Sequence, residues 1–147
     1  MEEKSKPFMP LPENPPLGHL PFEPPTRFAP DLKPFWDLWR EEKFWACHEA
    51  LEEIWRFEAE PRRSFLNGLI HGAVAVFQHR RGNANGAARQ LLRAKIKLEK
   101  HLPGCEGVDL ALFLSGIESE IAASLQKISA KQRADLNELE TRLRLRL

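Results

Sequence analysis

Cysteine is scarce in this sequence: Cys47 and Cys105 are the only two in 147 residues. They lie far apart without Cys-x-x-Cys spacing, which argues against a disulfide framework and for two reduced thiols in a reducing compartment. Long apolar runs are missing as well. The longest, around residues 69–77, is interrupted by His71 and is far too short to cross a bilayer, so no membrane association is expected. Residues 1–7 hold no apolar stretch of the kind that opens a secretory leader, and the expected location is the cytoplasm. No segment alternates apolar and polar residues between turn signals, which predicts no sheet. No fixed-period repeat suggests a solenoid, and no glycine loop of the phosphate-cradling kind is present. The net charge of +1 favours no class of partner.

What the chain does have is proline at one end and helical periodicity over the rest. Ten of its twelve prolines fall between Pro7 and Pro34. Each lacks a backbone donor and restricts its predecessor, so residues 1–30 are expected to form an extended arm. Phe8, Leu11, Leu17, Leu20, Phe22 and Phe28 give that arm more apolar groups than a free linker needs, so part of it should lie against the domain or a partner. Residues 31–147 are expected to fold as a single all-α bundle of five to six helices. The expected spans are 33–42, 44–58, 62–81, 85–102, 108–128, and a last helix capped by Ser129. Gly82-Asn83 and Pro103-Gly104 mark stops between them. The aromatic load of the first helix and the arm (Trp36, Trp39, Phe22, Phe28) makes a homodimer an expectation, since such large groups need cover.

Charge is blocked along the chain. Residues 41–60 carry seven Glu against Lys43 and Arg56, and residues 62–100 carry nine Lys or Arg against Glu99. Neighbouring helices that neutralise each other are the simplest explanation. The cations of the fourth helix, including Arg89, Arg93, Lys95, Lys97 and Lys100, read as a solvated face. No DNA- or RNA-binding motif accompanies them, and a nucleic-acid partner is not expected.

The informative residues are polar ones at apolar positions. On a helical wheel Phe44, Trp45, Cys47, Leu51, Ile54 and Trp55 form one arc of the second helix, with His48 at its centre and Glu52 close by. Glu49 and Arg56 lie at the edge of that arc. The third helix is apolar nearly all round, apart from a narrow stripe of Ser64, Asn67, His71 and Gln78. Gly68, Gly72 and Ala75 run alongside and would let another helix approach closely. The two polar stripes are expected to face each other.

Three separated segments carry a further pattern. Phe44-Trp45-Ala46-Cys47-His48-Glu49-Ala50-Leu51-Glu52-Glu53-Ile54-Trp55-Arg56 resembles the Phe-Phe-Glu-Ala-His-Glu-x-x-Glu-x-x-Trp signature of the domain of unknown function 309 family. Phe65-Leu66-Asn67-Gly68-Leu69-Ile70-His71 resembles that family's Phe-Leu-Gln-Gly-Leu-Ile-Gln segment. Arg80-Arg81-Gly82-Asn83 with Gly86-Ala87 is similar to its following turn and helix. The resemblance covers about residues 35–102 and implies a compact multihelical fold of bacterial or archaeal type. It brings no function. Asn67 and His71 stand where the family usually has glutamine.

Two functional expectations follow. The first is a non-catalytic binding or interaction protein. In it His48, Glu49, Glu52, Trp55, Arg56, Asn67, His71 and Gln78 form a polar cluster between the second and third helices that is structural or lines a small-molecule pocket. The second is a metal-dependent enzyme, most plausibly a hydrolase. His48, Glu52 and His71 would bind a divalent zinc, iron or manganese ion, with Glu49 as catalytic general base. The motif lacks the second histidine of His-Glu-x-x-His and the paired Glu-x-x-His elements of di-iron bundles. Cys47 points into an apolar arc, where a thiol is inert.

Overall fold

The computed structural model describes residues 20–146. After a 3-10 turn at Pro30–Leu32 come α1 (Lys33–Arg40), α2 (Phe44–Trp55), α3 (Arg62–Arg80) and α4 (Ala84–Leu98). A second 3-10 turn, Glu99–His101, leads to β1 (Gly104–Cys105) and β2 (Val108–Asp109), followed by α5 (Leu110–Glu120), α6 (Ala122–Lys127) and α7 (Ala130–Leu145). The all-α bundle expected from periodicity is the fold observed.

Two local differences have plain causes. The expected fifth helix is interrupted at Ile121, which caps both α5 and α6. The expectation of no sheet fails at one tight hairpin, where Gly104 pairs with Asp109 and Cys105 with Val108. Its turn is made by Glu106 and Gly107, both at positive φ. Two-residue strands are too short to display the period on which strand recognition depends.

Caps account for the helix starts. Asn83 accepts from the Gly86 amide at 2.8 Å and opens α4, and Asp109 accepts from the Leu112 amide at 2.9 Å and opens α5. Ser129 and Gln132 close a reciprocal capping box at the head of α7. Gly82, at φ +85°, makes the left-handed turn between α3 and α4.

Helix α3 is central, packing most extensively against α4 and then α2. Its two inner glycines set those approaches: a Cβ on Gly68 would lie 2.3 Å from Leu98, and one on Gly72 would lie 2.6 Å from the Phe113 ring. On the other side Phe35, Trp36, Trp39, Phe44 and Phe113 form an aromatic cluster, with Trp39 fully buried. Phe22 from the arm completes it, edge-on to Phe113 at 5.3 Å, and its carbonyl accepts from Trp39 Nε1 at 2.8 Å. This corrects the argument made for a homodimer. Trp36, Trp39 and Phe22 are buried within one chain and Phe28 is half-buried, so these rings need no second copy to cover them. Residues 20–30 thus behave as the docked part of the expected arm; its remainder, with Phe8, Leu11 and Leu17, lies outside the described residues.

Arg62 ties the arm to the bundle, bonding Asp31 from the first turn, Glu58 after α2 and Glu106 in the hairpin. Arg80 bridges Glu42 and Glu120. With Lys100 at 3.9 Å from Glu60, these are where the acidic and basic blocks meet. No helix among the described residues is long and apolar enough to cross a membrane.

Candidate functional site

The two polar stripes do share a space. A cavity of about 620 Å³ lies between α2, α3, α4 and the end of α7. Helix α2 contributes Trp45, His48, Glu52 and Trp55, and α3 contributes Asn67, His71 and Gln78 with Ile70 and Val74 between them. Glu49 and Arg56 do not line it and stand exposed on α2. Glu49, the general base of the metal reading, and Arg56, a member of the expected polar cluster, are therefore away from it.

The stripes face a common void rather than bond to each other. His48 Nδ1 donates to the Trp45 carbonyl at 3.2 Å, and its Nε2 lies 3.4 Å from Glu52 Oε2, both within α2. His71 Nδ1 donates to Gln90 Oε1 of α4 at 2.6 Å. Gln78 accepts from Asn83 at the α3–α4 turn. Among the described residues no hydrogen bond joins His48 or Glu52 to Asn67, His71 or Gln78. A network that fixes the register of α2 against α3 would need such bonds.

The walls suit a ligand with a flat apolar body. The Trp45 ring lies 4.3 Å from that of His48 and 5.0 Å from that of Phe77, and stays partly open to solvent. Trp55 is stacked under the Arg63 guanidinium at 4.1 Å, and among the described residues its buried Nε1 has no hydrogen-bond partner. Leaving a buried donor unpaired costs about 1–3 kcal/mol.

Among the described residues no three His, Cys, Asp or Glu side chains are arranged to hold a metal ion. His48, Glu52 and His71 line one cavity without forming that group. Ser64, the fourth member of the α3 stripe, points elsewhere and meets His101 Nε2 at 2.8 Å. Cys47 is buried against the Phe35 carbonyl, and burial pushes its thiol far above the ordinary range, which leaves it inert.

Burial pushes His71 down to about 4, with repulsion from Arg93 and Lys97 acting the same way and the Gln90 bond acting against it. The unfolded chain takes up this proton near pH 6.5, whereas the folded chain refuses it until about pH 4. The neutral ring's contribution to stability is complete above pH 6.5 and is lost as pH falls toward 4. It amounts to roughly 3 kcal/mol. His79 and His101 are also lowered by burial, in the same direction. Urea unfolding at pH 7 and pH 4.5 is expected to show a marked loss in the wild type and a clearly smaller one in His71→Gln. Equal losses in both proteins would show that His71 is not the group responsible.

Sequence reasoning missed the other half of the site. Gln90, Arg93, Ile96 and Lys97 of α4 and Leu143 and Arg146 at the end of α7 complete the lining. The signal was present in the spacing of Arg89, Arg93 and Lys97, four residues apart and so on one face.

Fold and cavity together define a small all-α protein with a ligand-sized pocket between its helices. Residues 32–90, from the arm junction to the first half of α4, match the family model Domain of unknown function (DUF309). It is 43% identical over 47 residues to the uncharacterized protein YpuF of Bacillus subtilis (strain 168), covering 31% of this chain and 27% of that protein. It is 28% identical over 94 residues to an uncharacterized protein of Aquifex aeolicus (strain VF5), covering 63% of this chain and 28% of that one. The matched stretches thus span little more than a quarter of these relatives. No solved structure matches significantly.

Proposed function

We propose that the protein is a binding module whose cavity between α2, α3, α4 and α7 accepts a small organic molecule. One observation carries this reading. The polar residues of α2 and α3 that periodicity places at buried positions line an open volume of about 620 Å³ without hydrogen-bonding across it. That volume is in the range of small-molecule sites, and its make-up is typical of them: aromatic and aliphatic walls with a few convergent polar groups. His48, Glu52, Asn67, His71 and Gln78 supply the polar contacts, and Trp45 and Trp55 the flat walls. Metal-assisted hydrolysis has less support, because its three ligands form no ion-holding group and Glu49 lies outside the cavity.

Naphthol is a suitable neutral probe for such walls. Calorimetric titration of the wild type is expected to show saturable binding. Among the described residues Asn67 makes no side-chain hydrogen bond, and it lines the cavity, so Asn67→Trp fills the space without breaking such a bond. That variant is expected to keep the wild-type helical circular dichroism and lose the binding. Undiminished affinity in a folded Asn67→Trp would place the bound probe elsewhere.

A further inference from the structure

We propose that the ligand is an aromatic molecule bearing an oxyanion. Arg93 and Lys97 of α4 and Arg146 of α7 grip the anionic group, and its binding fastens the end of α7 onto the bundle. This inference rests on the pocket reading above and names the chemistry of its ligand.

Three cations line the cavity, and among the described residues none of them pairs with a carboxylate. Arg62, Arg80, Lys95, Lys100 and Arg144 all have acidic partners. Arg93 and Lys97 are half-buried beside Ile96 and Leu143, which makes a charge-assisted contact to an anion stronger than it would be on an open face, while Arg146 stands exposed at the rim. The crowding is mutual as well: burial and the nearby Arg89, Arg146 and Arg142 all disfavour the charged form of Arg93. An anion between α4 and α7 relieves that repulsion.

The charges also orient the ligand. The one carboxylate of the lining, Glu52, sits on α2 beside His48, whereas the three cations come from α4 and α7. An anionic group is therefore repelled from the α2 side and drawn to the α4–α7 side. The aromatic body then occupies the space bounded by Trp45, Trp55, Ile70 and Val74. Phosphate and carboxylate share this chemistry, and both are fixed well by the planar fork of arginine. The cationic residues lie outside the segment matched to the family, so this preference belongs to the chain's own α4 and α7.

Helix α7 is the movable wall. Leu139 is its only buried residue, and near its C-terminal end the Arg144–Glu99 pair holds it to the bundle. Leu143 and Arg146 from that end complete the cavity. A ligand contacting α4 and Arg146 together adds a bond exactly where α7 has least packing of its own, and such weakly packed ends are where local opening concentrates.

The test titrates the full chain with naphthyl phosphate, naphthoate, naphthol, inorganic phosphate and a single-stranded oligonucleotide. Naphthyl phosphate or naphthoate is expected to bind at least about tenfold more tightly than naphthol. The double variant Arg93→Gln/Arg146→Gln, checked for folding by circular dichroism, should bring the charged and neutral probes to near-equal affinity. Lys131→Gln, remote at the start of α7, should leave the preference intact. Hydrogen exchange across residues 140–146 should slow with the charged probe and not with naphthol. Equal affinity of the wild type for charged and neutral probes overturns the oxyanion assignment while the pocket reading stands. No binding of any naphthyl probe overturns both. An oligonucleotide bound more tightly than naphthyl phosphate through Arg93 and Arg146 would replace a small ligand with a polyanion. Unchanged exchange with the charged probe bound overturns the fastening of α7.

Discussion

Trp39→Ala is expected to cost about 4 kcal/mol of folding stability. The ring is fully buried, edge-on to Phe44 at 5.0 Å and Trp36 at 5.8 Å, and tilted against Phe113 at 5.5 Å. Removing it opens a void between α1, α2 and α5 that rigid aromatic neighbours fill poorly. It also deprives the Phe22 carbonyl of the indole donor, so the arm should loosen with it. Trp39→Phe separates the two effects: it keeps a ring in the cluster, drops the bond, and should lose about 1–2 kcal/mol. Urea denaturation of both variants checks the order. A loss below about 1 kcal/mol in Trp39→Ala would show that the arm and the aromatic cluster contribute little to the fold.

The second large effect comes from adding atoms rather than removing them. Gly72→Val places a branched side chain where even a Cβ would lie 2.6 Å from the Phe113 ring and 2.9 Å from Ile117. Neither neighbour is free to retreat, since both are fully buried. The helices α3 and α5 must part, at a cost of about 3 kcal/mol, the upper end for an overpacked core. Thermal unfolding should show a drop of about 10 °C, with helix content below the transition retained. Gly82→Ala makes a useful contrast, because a Cβ there meets nothing within 4 Å and only the left-handed backbone at φ +85° is strained, for about 1 kcal/mol. A Gly72→Val protein as stable as the wild type would mean that the α3–α5 approach is not set by this residue.

These glycines illustrate what was legible in the sequence. Small residues beside an apolar stripe mark a close helix approach, and Gly68 and Gly72 sit at two such approaches. The stops at Gly82 and Pro103, the Ser129 cap and the inward placement of His48, Asn67 and His71 followed equally from local rules. Residue patterns did not reveal which partner helix each stripe would meet. His71 bonds Gln90 of α4 rather than a group on α2, and the cavity closes with residues from α7, far along the chain. The aromatic load of α1 was read as a surface because the residues that bury it, Phe22 and Phe113, come from distant segments. Cations on α4 likewise read as a solvated face, since a wheel shows which residues share a side but not what lies opposite.

The central claim is that a ligand enters the space between the four helices. Four aliphatic residues report on it from three of them: Ile70 and Val74 on α3, Ile96 on α4 and Leu143 on α7. The most direct measurement is methyl NMR during a titration with naphthyl phosphate. The account predicts saturable shifts concentrated on these four residues, with the exposed methyls of Leu102 and Leu112 unmoved. Shifts centred on Leu102 or Leu112, or none that saturate, would contradict it.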